Sequence, residues 1–247
     1  ALVLLGGVNY YSGELLDLEA ITRAGHAVGA VVAFDLAHAA GNVELRLHDW
    51  GVDWAAWCTY KYLNSSPGSV AGAFVHDRHL RDSTHPRLHG WWSTDPATRF
   101  QMRPVVSRPP TADAWSLSNP PILAMAPVLL SLEMFDRVGM PALRARSERL
   151  TAYLEGLLDL LNPDRARVIT PRDPARRGAQ LSLRVARIPA EELTDGMADE
   201  EELHLVACVL GHIDQIFAAS LGHHDLADTG AVCGQDLLFD AAHRQHL

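Results

Sequence analysis

The sequence nearly lacks lysine: of its 247 residues only Lys61 is one, and arginine supplies every other permanently basic side chain. Cysteine is scarce too. Cys58, Cys208 and Cys233 are an odd number, and their spacings match neither a zinc ribbon nor a disulfide framework. A reduced, cytoplasmic setting is therefore expected. No apolar run approaches the roughly 20 residues of a membrane-spanning helix. The opening stretch ALVLLGGVNYYSG lacks both a basic region and a small-residue cleavage site, so neither membrane insertion nor secretion is expected. There is no surplus of positive charge. The formal net charge of −9 argues against nucleic acid as a partner. Internal repeats are absent as well.

What the chain does have is apolar content, 48% of its residues, enough for a globular protein with a sizeable core. Its charge is uneven. Residues 1–185 hold 19 basic and 18 acidic side chains, whereas residues 186–247 hold 2 and 12. The break marks a domain boundary or a change of origin. Ahead of it, the short apolar runs ALVLLGGV and AVVAFD flank a helical pattern in LLDLEAITRAGHAVG, the sequence of a parallel βαβ unit. Further strands are expected in VDWAAWCTYK and GAFVH, with loop-like sequence over 79–121. Two amphipathic helices follow, ILAMAPVLLSLEMFDRVG and MPALRARSERLTAYLEGLLDLL, joined at Gly-Met-Pro. RVITP and AQLSLRV read as strands of a smaller lobe. In the acidic part, DEEELHLVACVLGHIDQIFAASLGHH reads as a helix.

The βαβ reading places Asp35 at the carboxyl end of a strand, where open α/β sheets bind ligands. The WAAWCTYK strand delivers Lys61 to the same edge. A lone lysine is most often a solvated surface charge. One carried to a ligand edge by an apolar strand instead loses solvation, which favours the neutral amine that attacks an aldehyde. Pyridoxal phosphate is the natural aldehyde partner. It needs an anion near its ring nitrogen, which Asp35 fits, and groups that support the ring and move protons, which His38 and Tyr60 fit. His38 taken alone reads equally well as a capping or core histidine.

The stretch FDLAHAAGNVELRLHDWGVDWAAWCTYKYLNSSPGSVAGAFVH resembles the cofactor-lysine region of the kynureninases. Further matches are GVNYYSGELLDLEAITRAGHAVG before it, and HGWWSTDPATRFQM, SLSNPPILAMAPVLLSLEMF and RRGAQLSL after it. The resemblance runs from residue 1 to about 185. It implies a PLP-dependent transferase-like α/β fold of type I. Residues 1–120 would then be part of a three-layer α/β/α large domain, residues 121–185 the start of a small α+β C-terminal domain, and residues 186–247 an unassigned acidic tail. It also implies hydrolysis of L-kynurenine or 3-hydroxykynurenine to anthranilate or 3-hydroxyanthranilate and L-alanine, in tryptophan catabolism and NAD biosynthesis, by a cytoplasmic homodimer.

Carried over by position, Lys61 resembles the Schiff-base lysine and proton carrier, Asp35 the pyridinium partner, and His38 and Tyr60 the residues around the ring and phosphate. Trp91 and Asn119 match the family's Gly-Trp and Ser-Asn-Pro-Pro positions, which line the site and act across a dimer interface. By themselves Trp91 and Trp92 read as loop anchors, and Asn119 as a turn former before Pro120. Gly6 stands where the family more often has a hydroxyl residue.

Two departures shape the expectations. The chain is expected to begin inside the large domain, without the family's phosphate-donating loop and ring-stacking aromatic. After Val185 no match exists to the closing family segment whose arginine holds the substrate carboxylate. The chain alone is therefore expected to bind cofactor weakly and turn over kynurenine negligibly, and its acidic tail to pack poorly. The rival readings are an inactive or partner-dependent fragment, and a related lyase such as a cysteine desulfurase. The desulfurases usually carry Gln where His38 stands and Ser-x-His before the lysine, unlike this sequence. The tail histidines His204, His212, His223 and His224 follow no standard metal-ligand spacing, so no metal is expected.

Overall fold

The structure is a computed structural model and describes residues 1–81, 86–160 and 166–185, together with the backbone of 203–208. Two sheets organise these residues. The first has the order β1 (Leu2–Gly6), β2 (Val31–Asp35), β3 (Trp54–Trp57), β4 (Gly72–Val75). β1, β2 and β3 run parallel, and β4 returns antiparallel to β3. In register, Gly6 stands beside Asp35 and Asp35 beside Ala56. The carboxyl ends of three strands therefore share one edge.

Helix α1 (Leu18–Ala27) connects β1 to β2. It starts later than the apolar periodicity implies, because Glu14 and Leu15 are drawn into bridges with Arg177 and Val8. The Asp17 side chain then caps the helix by accepting the Ala20 N–H. Its buried face, Leu18, Thr22 and Gly25, lies on the sheet. Gly25 is needed for this approach, since a Cβ there would sit 2.5 Å from Val32 Cγ2. The core gathers Val8, Leu18, Val32, Phe34, Leu36, Ala39, Val43, Val52 and Ala55.

The two expected helices are α2 (Ile122–Val138) and α3 (Met140–Asp159), divided by Gly139 at φ +80°. The second sheet is antiparallel with β6 (Gln180–Val185) in its centre, between β5 (Ala166–Val168) and β7 (Leu203–Cys208). β7 corrects two expectations. Residues 203–208 form a strand rather than a stretch of helix, and this piece of the acidic segment is built into a sheet. Short apolar runs are ambiguous between the two states, and the six-residue ladder with β6 decides the matter here. The rest of 186–247 lies outside the described residues. So does any test of the tail-histidine reading beyond the backbone of His204.

Candidate active site

β2 ends at Asp35, whose exposed carboxylate accepts the Ala37 N–H at 2.8 Å and turns the chain. The buried Leu36 and Ala39 hold the turn to the core through bonds from Ala39 N–H and Ala40 N–H to the Leu36 carbonyl. His38 is thereby left at the sheet edge. The other arm comes from β3. Past its end, the buried Thr59 bonds Ser69 Oγ and the Val70 carbonyl, both at 2.7 Å. Asn64 and Ser66 at positive φ close the loop after Lys61. The Ser131 hydroxyl of α2 donates to the Leu63 carbonyl, pinning that loop from the second helix.

These two arms bring Lys61 Nζ within 2.9 Å of His38 Nε2. Lys61 is half-buried. Burial and then the adjacent Lys61 charge push the His38 ring down to about 4, with Asp35 pulling the other way. His38 is therefore a neutral imidazole at pH 7, whose Nε2 can accept from the lysine. Its Nδ1 is buried with no hydrogen-bond partner among the described residues. The Tyr10 and Tyr62 rings stand 6.5 and 6.2 Å from the imidazole.

Tyr60 is exposed, and its hydroxyl pKa is raised by Cys58 first, then by burial and by Asp35. The Cys58 thiol lies 3.9 Å from the Ala37 carbonyl. Lys61, His38, Asp35 and Tyr60 thus share one neighbourhood. Gly6 is aligned with Asp35, and a Cβ there would meet only the Val8 carbonyl at 3.6 Å, so a side chain has room.

Trp91 and Asn119 stand on two loops that meet each other. Gly90 packs so tightly on Leu117 that no side chain fits, and Trp92 N–H reaches the Leu117 carbonyl at 3.5 Å. The Trp91 and Asn119 loops therefore lie side by side. Trp91 meets Phe100 edge-on and Asn119 is exposed.

The residues that sequence reasoning did not single out are Tyr10, Asn42 and Gln180. Asn42 and Gln180 are fully buried amides. The only signal for either was the Gly-Asn ending of the His38 turn and the Gln in RRGAQLSL. Metal-ligand types cluster at the other end of the sheet, where the ligand atoms of His48, His76 and Asp77 lie within 4.8 Å of one another. There His76 Nδ1 already accepts the Arg78 N–H, and the Arg78 cation stands close by.

Comparison with known proteins decides what this neighbourhood belongs to. A curated kynureninase from Salinispora tropica is 66% identical over 194 residues, which is 78% of this chain and 45% of that protein. One from Myxococcus xanthus is 59% identical over 184 residues, 74% of this chain and 43% of that protein. The family model for the kynureninase C-terminal domain matches residues 143–200. The matched segment belongs to the kynureninase family. The family model passes residue 185, so the resemblance extends further than the motifs alone implied. The chain spans less than half the length of the curated kynureninases it matches.

Solved structures agree on the fold. A cystine C–S lyase, C-DES, in complex with cysteine persulfide superposes with a TM-score of 0.64 at 20% identity, covering 88% of this chain and 59% of that one. A cysteine desulfurase from Thermococcus onnurineus gives 0.60 at 18%, covering 76% and 44%. At such identities the likeness carries the architecture alone, the fold type I α/β arrangement.

Proposed function

We propose that this chain contributes the cofactor-lysine part of a kynureninase, which hydrolyses L-kynurenine or 3-hydroxykynurenine to L-alanine and anthranilate or 3-hydroxyanthranilate. The observation that carries the reading is the Lys61–His38 contact at the strand ends beside Asp35, in a chain 66% identical to a curated kynureninase. The residues present fit pyridoxal phosphate. An amine faces a neutral imidazole, an exposed carboxylate stands at a strand end, and the buried His38 Nδ1 has no hydrogen-bond partner among the described residues.

Lys61, Asp35, His38 and Tyr60 are the residues that would hold it. When bound, this group supplies an aldehyde for amines and a ring that accepts electrons. Lys61 is the amine that captures it. Its Nζ, when free, would be the base that carries a proton. His38 Nε2 orients Nζ and, being neutral, adds no opposing charge. Asp35 would supply the negative charge that favours a protonated ring nitrogen in this group. Tyr60 offers an exposed hydroxyl beside them.

Trp91 and Asn119 act in this reading from their shared loop cluster, across a homodimer interface. In this reading the protein is cytoplasmic, as its few and irregularly spaced cysteines suggest. Residues 1–120 are assigned to the large domain, 121–185 to the start of the small one and 186–247 to the acidic tail. The desulfurase reading rests on fold likeness alone and is not favoured against 66% identity.

The test supplies the chain with pyridoxal phosphate and L-kynurenine and follows anthranilate fluorescence, with cysteine as the competing substrate. Anthranilate release that vanishes in Lys61→Ala supports the reading. Cofactor capture at Lys61 without release supports the partner-dependent fragment instead. Sulfide release from cysteine exceeding anthranilate release overturns the kynureninase assignment.

A further inference from the structure

Two buried amides join the two sheets next to Lys61, each reaching from its own side. Asn42, in the turn after β2, donates from Nδ2 to the His38 carbonyl at 2.9 Å and accepts the Ala179 N–H on Oδ1 at 2.8 Å. Ala179 is the residue before β6. Gln180, the first residue of β6, donates back from Nε2 to the Tyr10 carbonyl at 2.7 Å and to Ser182 Oγ at 2.9 Å. Both amides are fully inaccessible to solvent. Gly178 leaves Asn42 room, since a Cβ there would sit 2.3 Å from its Nδ2.

The two main-chain groups so held share one property. The His38 imidazole contacts Lys61 Nζ, and the Tyr10 ring packs beside that imidazole. Buried amide bonds such as these have no water to replace them when broken, so the start of β6 and the His38 turn shift together or not at all. Nothing in the strand ladder requires this. β6 is already paired on both edges, by β5 and β7.

We infer that Asn42 and Gln180 are positioning residues, which make the reactivity of Lys61 depend on the second sheet by fixing the His38 turn and Tyr10 to β6. The inference rests on the proposed role of Lys61. Charged and titratable groups around the imidazole are Lys61 and Asp35, with the Tyr10 and Tyr62 rings beside it. Asn42 and Gln180 reach His38 and Tyr10 at their carbonyls, so the coupling runs through backbone. Because Lys61 is the only lysine, its chemistry can be read without interference from other side-chain amines.

The experiment uses the full chain and four variants: Asn42→Ala, Gln180→Ala, Lys61→Ala and, as control, Thr22→Val. Thr22 is equally buried, and its hydroxyl donates to the Leu18 carbonyl within α1. Each protein is treated with pyridoxal phosphate and borohydride between pH 6 and 9, and the mass gain on the Lys61 peptide is followed in time. Circular dichroism establishes that each is folded. Asn42→Ala and Gln180→Ala are expected to slow capture about tenfold, and Thr22→Val less than about twofold. Capture within twofold of the unsubstituted chain in both amide variants overturns the inference.

If one amide variant does not fold, the other decides. If Lys61 is never labelled, the proposed role of Lys61 fails, and the coupling is then read without cofactor from the His38 imidazole by NMR. Its titration midpoint, about 4 in the intact chain, is expected to move toward 6.5 in the amide variants but not in Thr22→Val. An unmoved midpoint overturns the inference on that route.

Discussion

The two ends of the four-stranded sheet use the same side-chain types to opposite ends. At the amino end of β3, Asp53 is buried and saturated. It accepts the Val32 N–H at 2.8 Å, His26 Nε2 at 2.7 Å and His79 Nε2 at 2.7 Å, with Arg78 at 3.6 Å. Burial pushes its carboxyl up, but the Val32 N–H and the two rings outweigh that and hold it below the ordinary carboxylate range. At the carboxyl end, Asp35 is exposed and accepts a neighbouring N–H, and His38 keeps a buried nitrogen that has no partner among the described residues. A closed network stabilises a fold. A network left open at a strand edge has capacity for a ligand, and that contrast marks the candidate site more clearly than burial does.

Substitutions sharpen the contrast, and the largest effect is expected at the closed end. Asp53→Ala removes the buried acceptor shared by the Val32 N–H and both rings and is expected to lower unfolding free energy by about 3–5 kcal/mol in urea titrations. A loss under about 1 kcal/mol would erase the distinction between the ends. A smaller effect is expected from acid. The folded His38 ring has its pKa depressed to about 4, so between pH 6.5 and 4 the unfolded chain binds more protons. Stability is present above 6.5 and falls as pH drops through that window. The full shift is discounted for partial exposure, leaving about 1–2 kcal/mol. In urea titrations, the stability difference between the chain and His38→Asn should change by this amount from pH 6.5 to 4, the unsubstituted chain losing more; parallel curves would contradict it.

The smallest stability effects belong to the open end and its outlying loop. Lys61→Ala and Asn119→Ala are each expected to stay within about 0.5 kcal/mol in the same titrations, because neither removes a saturated buried group. A loss of several kcal/mol from Lys61→Ala would make the lysine structural.

How legible this was depends on the range of the forces involved. β2 with Asp35 at its end, the strand before Lys61 and the Gly139 break were readable because apolar periodicity and glycine act locally. β7 was read as helix because its partner β6 lies some 20 residues away in the chain, and a six-residue apolar run does not reveal which edge will pair with it. Asp53, His26 and His79 gave no signal, since their bonds join residues 21 to 27 positions apart. Asn42 and Ala179 meet across 137 positions. Lys61 and His38 came from resemblance and strand-end logic together, whereas their 2.9 Å contact came only from the fold.

The central claim is that Lys61 is the cofactor amine, and the most direct measurement is where pyridoxal phosphate attaches. After equilibration with the cofactor at neutral pH, borohydride reduction and peptide mass mapping, the label is expected on the Lys61 peptide, absent from it in Lys61→Ala and strongly reduced in His38→Ala. Label found only on the amino terminus of the chain, or retained in full by His38→Ala, would contradict the account.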